Sequence, residues 1–177
     1  MRGEIRRICK TGGFTTIYVT HDQKEALSVA DRIAVLKDGQ LSQVGTPADL
    51  YQRPGSSFVA EFMGQTNLIP GKIVQVNGEL LQIETKAGAV LAPGNLAAGG
   101  QVILSIRPEH LHPGAATSHT NRFAGTVVES TFLGESSEHL MNAGGQLLRF
   151  TSTPPMLNPP QELTLACDPK DVVVLQK

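Results

Sequence analysis

The chain has 177 residues, 15 Lys and Arg against 16 Asp and Glu, and 40% hydrophobic against 18% charged residues. That suffices for one medium or two small folded domains and is too apolar for a disordered chain, while a net charge of -1 offers no pull toward nucleic acid or an anionic membrane. No apolar run nears the roughly 18 residues of a membrane span. Met1-Arg2-Gly3-Glu4 has no apolar leader, and Cys9 and Cys167 lie far apart, so the sequence reads as a cytoplasmic protein with reduced thiols.

Up to Gly64, helix and strand signals alternate. Gly3 to Lys10 sets Ile5 and Ile8 among charges, a helix that Gly12-Gly13 stops. Its basic residues Arg2, Arg6, Arg7 and Lys10 read as a solvated face. Phe14 to Thr20 is β-branched and aromatic, the pattern of a buried parallel strand. Asp22 can cap a helix running to Ala30, with Glu25 placed as in a capping box. Arg32 to Leu36, the turn Asp38-Gly39 and Gln40 to Val44 predict a hairpin. Thr46-Pro47 caps a short helix to Gln52, and Ser56 to Met63 is another.

After Gly64 the helix signals vanish. Short strands are expected at 68–76, 79–85, 89–92, 101–107, 125–131, 137–141, 146–152 and 163–167. Gly and Pro pairs separate them, which predicts a small barrel or sandwich. A weak internal repeat runs through this region. Gly71-Lys72-Ile73-Val74 opens one half and Gly125-Thr126-Val127-Val128 the other; Ser105 to Leu111 closes the first and Ala166 to Val172 the second.

His21 lies where the predicted strand ends and a helix begins, the edge at which open α/β sheets bind ligands. Histidine there can donate to a phosphate or an attacking water. The run Thr20-His21-Asp22-Gln23, Glu25-Ala26, Ala30-Asp31-Arg32-Ile33, Lys37-Asp38-Gly39 and Gly45-Thr46-Pro47 resembles the end of the nucleotide-binding domain of ABC importers serving sugars, polyamines and ferric iron. Tyr51, Pro54, Phe58, Val59, Ala60, Phe62, Gly64 and Asn67 are similar to the segment that follows it, and Ile106-Arg107-Pro108-Glu109-His110-Leu111, Phe123-Ala124-Gly125-Thr126-Val127 and Phe132-Leu133-Gly134 to the TOBE extension, an OB-like barrel.

The resemblance implies an α+β chain: a truncated α/β fragment of the ATPase domain over 1–67, then the barrel over 68–177. It implies that His21 is the switch histidine sensing the γ-phosphate in a complete ATPase, that Asp22 and Asp31 hold local structure, and that Gly39 serves the hairpin. Arg107, Pro108 and Glu109 read as a strand end fixed by proline. The sequence has no G-x-x-x-x-G-K-[ST] loop, so ATP and Mg²⁺ are expected to belong to the full-length parent, and this chain to bind no cofactor and hydrolyse nothing. The implied partners are a second copy of the chain and permease subunits at the inner face of the membrane. Nucleic acid is not expected, since aromatics are 5% and Trp is absent. His110-Leu111-His112 lacks a third ligand and is not read as a metal site.

The rival reading is a free-standing module for a small oxyanion, with amides of Gly99-Gly100 or Gly144-Gly145 forming the nest. Phe62 to Asn67 looks most like polyamine-type importers, but the cargo itself is expected to be chosen by other subunits.

Overall fold

A computed structural model of the chain describes residues 2–114 and 121–176. Met1, part of the stretch read for a leader, lies outside the described residues. The fold is α+β, and the chain divides into two units, 1–64 and 65–177.

The first unit opens with α1 (Arg2–Gly12). Gly13 ends it at φ 65°, and the Phe14 N–H donates to the Cys9 carbonyl at 3.2 Å, the bond that closes a helix behind a left-handed glycine. Phe14 to Thr20, expected as a buried strand, forms none. A strand exists only through a neighbour's ladder, and no described strand lies beside this segment. Ile17 and Val19 are 90% exposed instead.

Next come α2 (Gln23–Val29) and the hairpin of β1 (Ile33–Lys37) and β2 (Gln40–Gly45). Asp38 and Gly39, at φ 50° and 77°, form its primed turn. Thr46 caps α3 (Pro47–Gln52), Ser56 caps α4 (Ser57–Phe62), and both hydroxyls accept the amide three residues on. The helices close a small core of Val35, Leu50, Val59 and Met63.

The second unit holds β3 (Asn67–Asn77), β4 (Leu80–Thr85), β5 (Gly88–Pro93), β6 (Gln101–Ile106), β7 (His112–Pro113), β8 (Asn121–Phe132), β9 (Ser137–Ala143), β10 (Gln146–Ser152), β11 (Glu162–Cys167) and β12 (Val172–Gln176). They make two antiparallel sheets, ordered β12-β6-β3-β4-β5 and β10-β9-β8-β11-β7. Each sheet curls until its outer strands approach, β12 to β5 and β7 to β10, and together they enclose one core around Phe123, Phe150, Ile73 and Leu104.

The two sheets share one plan. β3, β4, β5 and β6 correspond to β8, β9, β10 and β11, and the bulge between Ile73 and Gln75 recurs between Val127 and Glu129. A three-residue 3-10 turn follows each fourth strand, Pro108–His110 and Pro169–Asp171. The last strands are exchanged: β7 pairs with β11 of the other half, and β12 with β6. Strands β7 and β12 were not expected, because their ladders join residues some 50 to 75 positions apart.

Gly71 and Gly125 sit at matching places before the bulges. A side chain at Gly125 would overlap the Asn142 carbonyl, and one at Gly71 would crowd Ile83 Cγ2. Cys167 is buried in the core, and burial, with smaller contributions from Asp171 and Asp168, pushes its thiol up to about 12.

Candidate functional site

His21 is exposed and sits just ahead of α2. The turn that carries it is built from hydroxyl and carboxylate bonds. Asp22 Oδ1 accepts the Glu25 N–H at 3.0 Å, and the Asp22 N–H donates to Thr20 Oγ1 at 3.0 Å. Half of the expected capping box is therefore present. Its other half is replaced, because Glu25 Oε2 accepts from Tyr18 Oη at 3.0 Å and from Thr20 Oγ1 at 2.9 Å. Those bonds tie the extended segment to α2.

Asp31 lies beyond α2 and is held by α1, with Lys10 Nζ at 2.9 Å and Arg6 at 3.2 Å. The Lys10 hydrogen bond, followed by the charges of Lys10 and Arg6, holds its carboxyl below the usual range despite some opposing desolvation. Arg6 also donates to the Val29 carbonyl at 3.0 Å, and Arg7 pairs with Glu4 at 2.7 Å. The basic stretch is solvent-exposed as expected at Arg7 and Lys10, and two of its residues, Arg6 and Lys10, also reach the end of α2. These pairs are exposed, where such contacts contribute little to stability and mainly set geometry.

Gly39 is the second residue of the β1–β2 turn. Arg107, Pro108 and Glu109 lie in the second unit. Arg107 is 4% exposed and donates to the Gln65 carbonyl at 3.0 Å; Pro108 is buried at the start of a 3-10 turn and Glu109 is exposed. The candidates are therefore distributed over both units. His110 Nδ1 is buried without a hydrogen-bond partner, and among the described residues no group of three His, Cys, Asp or Glu is placed to hold a metal.

The sequence reading missed two polar features of the second unit. Asn67 Oδ1 accepts the Arg149 N–H at 2.6 Å while its Nδ2 donates to the Arg149 carbonyl at 2.8 Å. Asn121 does the same to Leu91, at 2.7 and 2.8 Å. Each asparagine stands four residues before Gly71 or Gly125, so the repeat itself carried a signal for the pair. The second feature is buried His139, bonded to Ser130, Ser137 and Ser152.

One amide of each glycine pair already has a protein acceptor. The Gly99 N–H donates to the Ile73 carbonyl at 2.7 Å and the Gly145 N–H to Asn142 Oδ1 at 2.9 Å.

Residues 104–175 match the family model described as "TOBE domain". The chain is 38% identical over 185 residues to the spermidine/putrescine import ATP-binding protein PotA of Rubrobacter xylanophilus, covering 99% of this chain and 48% of that protein. It is 43% identical over 139 residues to the Fe(3+) ions import ATP-binding protein FbpC of Rhizobium etli, covering 78% of this chain and 39% of that protein. The chain thus spans less than half the length of these curated relatives. Among solved structures, the cytoplasmic molybdate-binding protein ModG superposes with a TM-score of 0.55 at 17% identity, over 63% of this chain and 96% of that one. At that identity the likeness is one of fold.

Proposed function

We propose that the chain, which is similar to the ATP-binding proteins of ABC-type importers and matches the TOBE domain over residues 104–175, is the C-terminal regulatory and dimerisation portion of such a subunit. The carrying observation is the match of 99% of the chain to one importer ATP-binding protein. In this reading the longer polypeptide supplies the phosphate loop and the carboxylates for ATP and Mg²⁺, and this portion supplies His21. The chain's own residues do not fit ATP and Mg²⁺. It has no phosphate loop, Asp22 is engaged as a helix cap, and Glu25 accepts from Tyr18 and Thr20. His21, exposed on a turn braced by those bonds, is left to meet a γ-phosphate completed elsewhere. Asp22 and Asp31 act as braces rather than reactants.

The proposed partners are permease subunits at the inner face of the membrane and a second copy of the chain. Among the described residues no helix is long and apolar enough to cross a membrane. The relatives above carry different cargo names at similar identity, 43% and 38%, which supports assigning cargo choice to other subunits.

The purified chain is expected to release no phosphate from ATP above blank. In the longer polypeptide with its phosphate loop, His21→Ala is expected to lower kcat by about 10²-fold or more, the range of a lost proton-transfer or water-positioning group. Steady hydrolysis by the chain alone, abolished by His21→Ala, would refute the assignment. An unchanged rate in the longer protein would remove His21 from it.

Self-association follows from Phe14, Ile17 and Val19, which stand 69%, 90% and 90% exposed. Burying each large apolar side chain is worth roughly 1.5–3 kcal/mol. Light scattering at micromolar concentration should give about twice the 18.9 kDa chain mass. A monodisperse monomer at that concentration would end the dimer proposal for this chain.

The likeness to ModG favours a second reading, a small-oxyanion module. It is the weaker one, because one amide of each pair expected to form the nest, Gly99 and Gly145, already has a protein acceptor.

A further inference from the structure

The two halves of the second unit differ sharply at one matched position. In the first half Leu81 faces Val76 across the β3–β4 ladder and Ala92 across the β4–β5 ladder. In the second half His139 stands in Leu81's place, opposite Ser130 and Phe150. Gly94, which follows β5, leaves room for Leu81; a side chain there would press on Leu81 Cδ1. Ser152 takes the matching place after Phe150 and bonds the histidine. The fold is thus satisfied by an apolar set, and the second half has a polar one instead.

That polar set is closed. The His139 ring is 1% exposed and stacks on Phe150 at 4.7 Å. Nδ1 meets Ser130 Oγ at 2.8 Å, and Nε2 meets Ser137 Oγ at 2.8 Å and Ser152 Oγ at 3.1 Å. Ser130 is exposed, which gives the buried ring a hydroxyl contact toward water. The network also reaches the loop 153–161, which has no regular structure. The Met156 N–H donates to Ser137 Oγ at 2.8 Å and to Ser152 Oγ at 3.2 Å. Met156 in turn lines a cavity of about 560 Å³ with Pro113, Pro160, Leu163 and Arg122.

We propose that His139 and its serines form a proton-operated latch: the neutral ring fastens the loop 153–161 through Met156, and protonation frees the loop and opens the cavity wall it makes. A neutral imidazole offers one donor and one acceptor, so one serine hydroxyl donates to the ring, while Ser137 and Ser152 also take the Met156 amide. An imidazolium donates at both nitrogens, so no serine can donate to it and the hydroxyl that filled the acceptor must turn away, which rearranges the hydroxyl network that holds Met156. It also places a charge where none is balanced. Among the described residues, the groups bonded to or stacked on the ring are Ser130, Ser137, Ser152 and Phe150, none of them charged. The charged neighbours Glu129, Glu138 and Arg149 alternate to the other face, where Arg149 and Glu138 pair at 3.4 Å. A buried charge without a partner is relieved by water or by opening, and the loop is the surrounding element not held by a ladder.

Burial lowers the affinity of His139 for a proton. The opened form takes up the proton first, so the latch is fully closed above the ordinary histidine value of about 6.5 and weakens as pH falls below it toward the folded-state value.

The test uses the intact chain and follows His139 by imidazole NMR and Met156 by amide exchange, corrected for the intrinsic pH effect. Met156 protection should fall about tenfold or more between pH 7 and 5, in step with His139 protonation. The variant His139→Leu, Ser130→Val, Ser152→Gly, which copies the first half, keeps Ser137 and should show pH-independent protection. If that variant does not fold, the wild-type titration decides alone. The latch is excluded if Met156 protection stays flat while His139 titrates, if His139 titrates at its ordinary value, or if it stays neutral until the whole unit unfolds.

Discussion

Asn121→Ala is expected to destabilise the second unit by about 1–3 kcal/mol, and Asn67→Ala by a similar amount, because each strips partners from a partly buried backbone donor and acceptor at once. β5 and β10 are the outer strands of their sheets, so the backbone edge of Leu91 and Arg149 facing away from the ladder has no strand to pair with. The asparagine amide replaces that strand, giving one donor and one acceptor in the geometry of a peptide unit. Both side chains are nearly out of solvent, at 4% and 6% exposure, so water does not substitute easily. The bonds also cross the repeat: Asn67 begins one half and holds β10 of the other, while Asn121 begins the second half and holds β5 of the first. Urea denaturation followed by circular dichroism measures the loss. Two variants each within about 0.5 kcal/mol of wild type, the range of ordinary surface changes, would show that the clamps do not stabilise the unit.

Limited proteolysis is expected to remove the first unit and leave a resistant core beginning near Gln65, and residues 65–177 made alone should melt cooperatively. The contrast lies in the cores. The second unit encloses one continuous cluster that includes Phe123, Phe150, Met141 and Leu165, all with no exposed surface. The first unit gathers Val35, Leu50, Val59 and Met63 over 64 residues. Domains of that size are marginal even with a good core. Cleavage should begin between Gly13 and Thr20, where the chain is extended and its large side chains face water. A protease-resistant N-terminal fragment beside a digested C-terminal half would contradict this ranking.

Local chemistry made part of the molecule legible in advance. Helix caps at Asp22, Thr46 and Ser56, the Asp38-Gly39 turn and the glycine stop after α1 depend on residues within a few positions of one another. The strands between Asn67 and Cys167, apart from β7, were readable for the same reason, since alternation and turn residues are local. Even the duplication was visible, because a close strand approach at the matched positions 71 and 125 leaves room only for glycine. Of the candidate site, His21 was named from its motif, and the structure sets it on a braced, exposed turn.

The rest was decided by pairing at a distance. Phe14 to Thr20 has every residue preference of a strand and is not one, because a strand is a relation between two segments and this segment has no described neighbour. Val172 to Gln176 becomes a strand only because Ile106 to Val102 lies beside it. The exchange of β7 and β12, the reach of Asn67 and Asn121 across the halves, and the enclosure of His139 by three serines all depend on which surfaces meet. In sequence His139 stands between Glu138 and Leu140, and two of its three serine partners are 9 and 13 residues away. Closing two sheets over one core took it out of water and supplied its partners, and no local pattern carries that information.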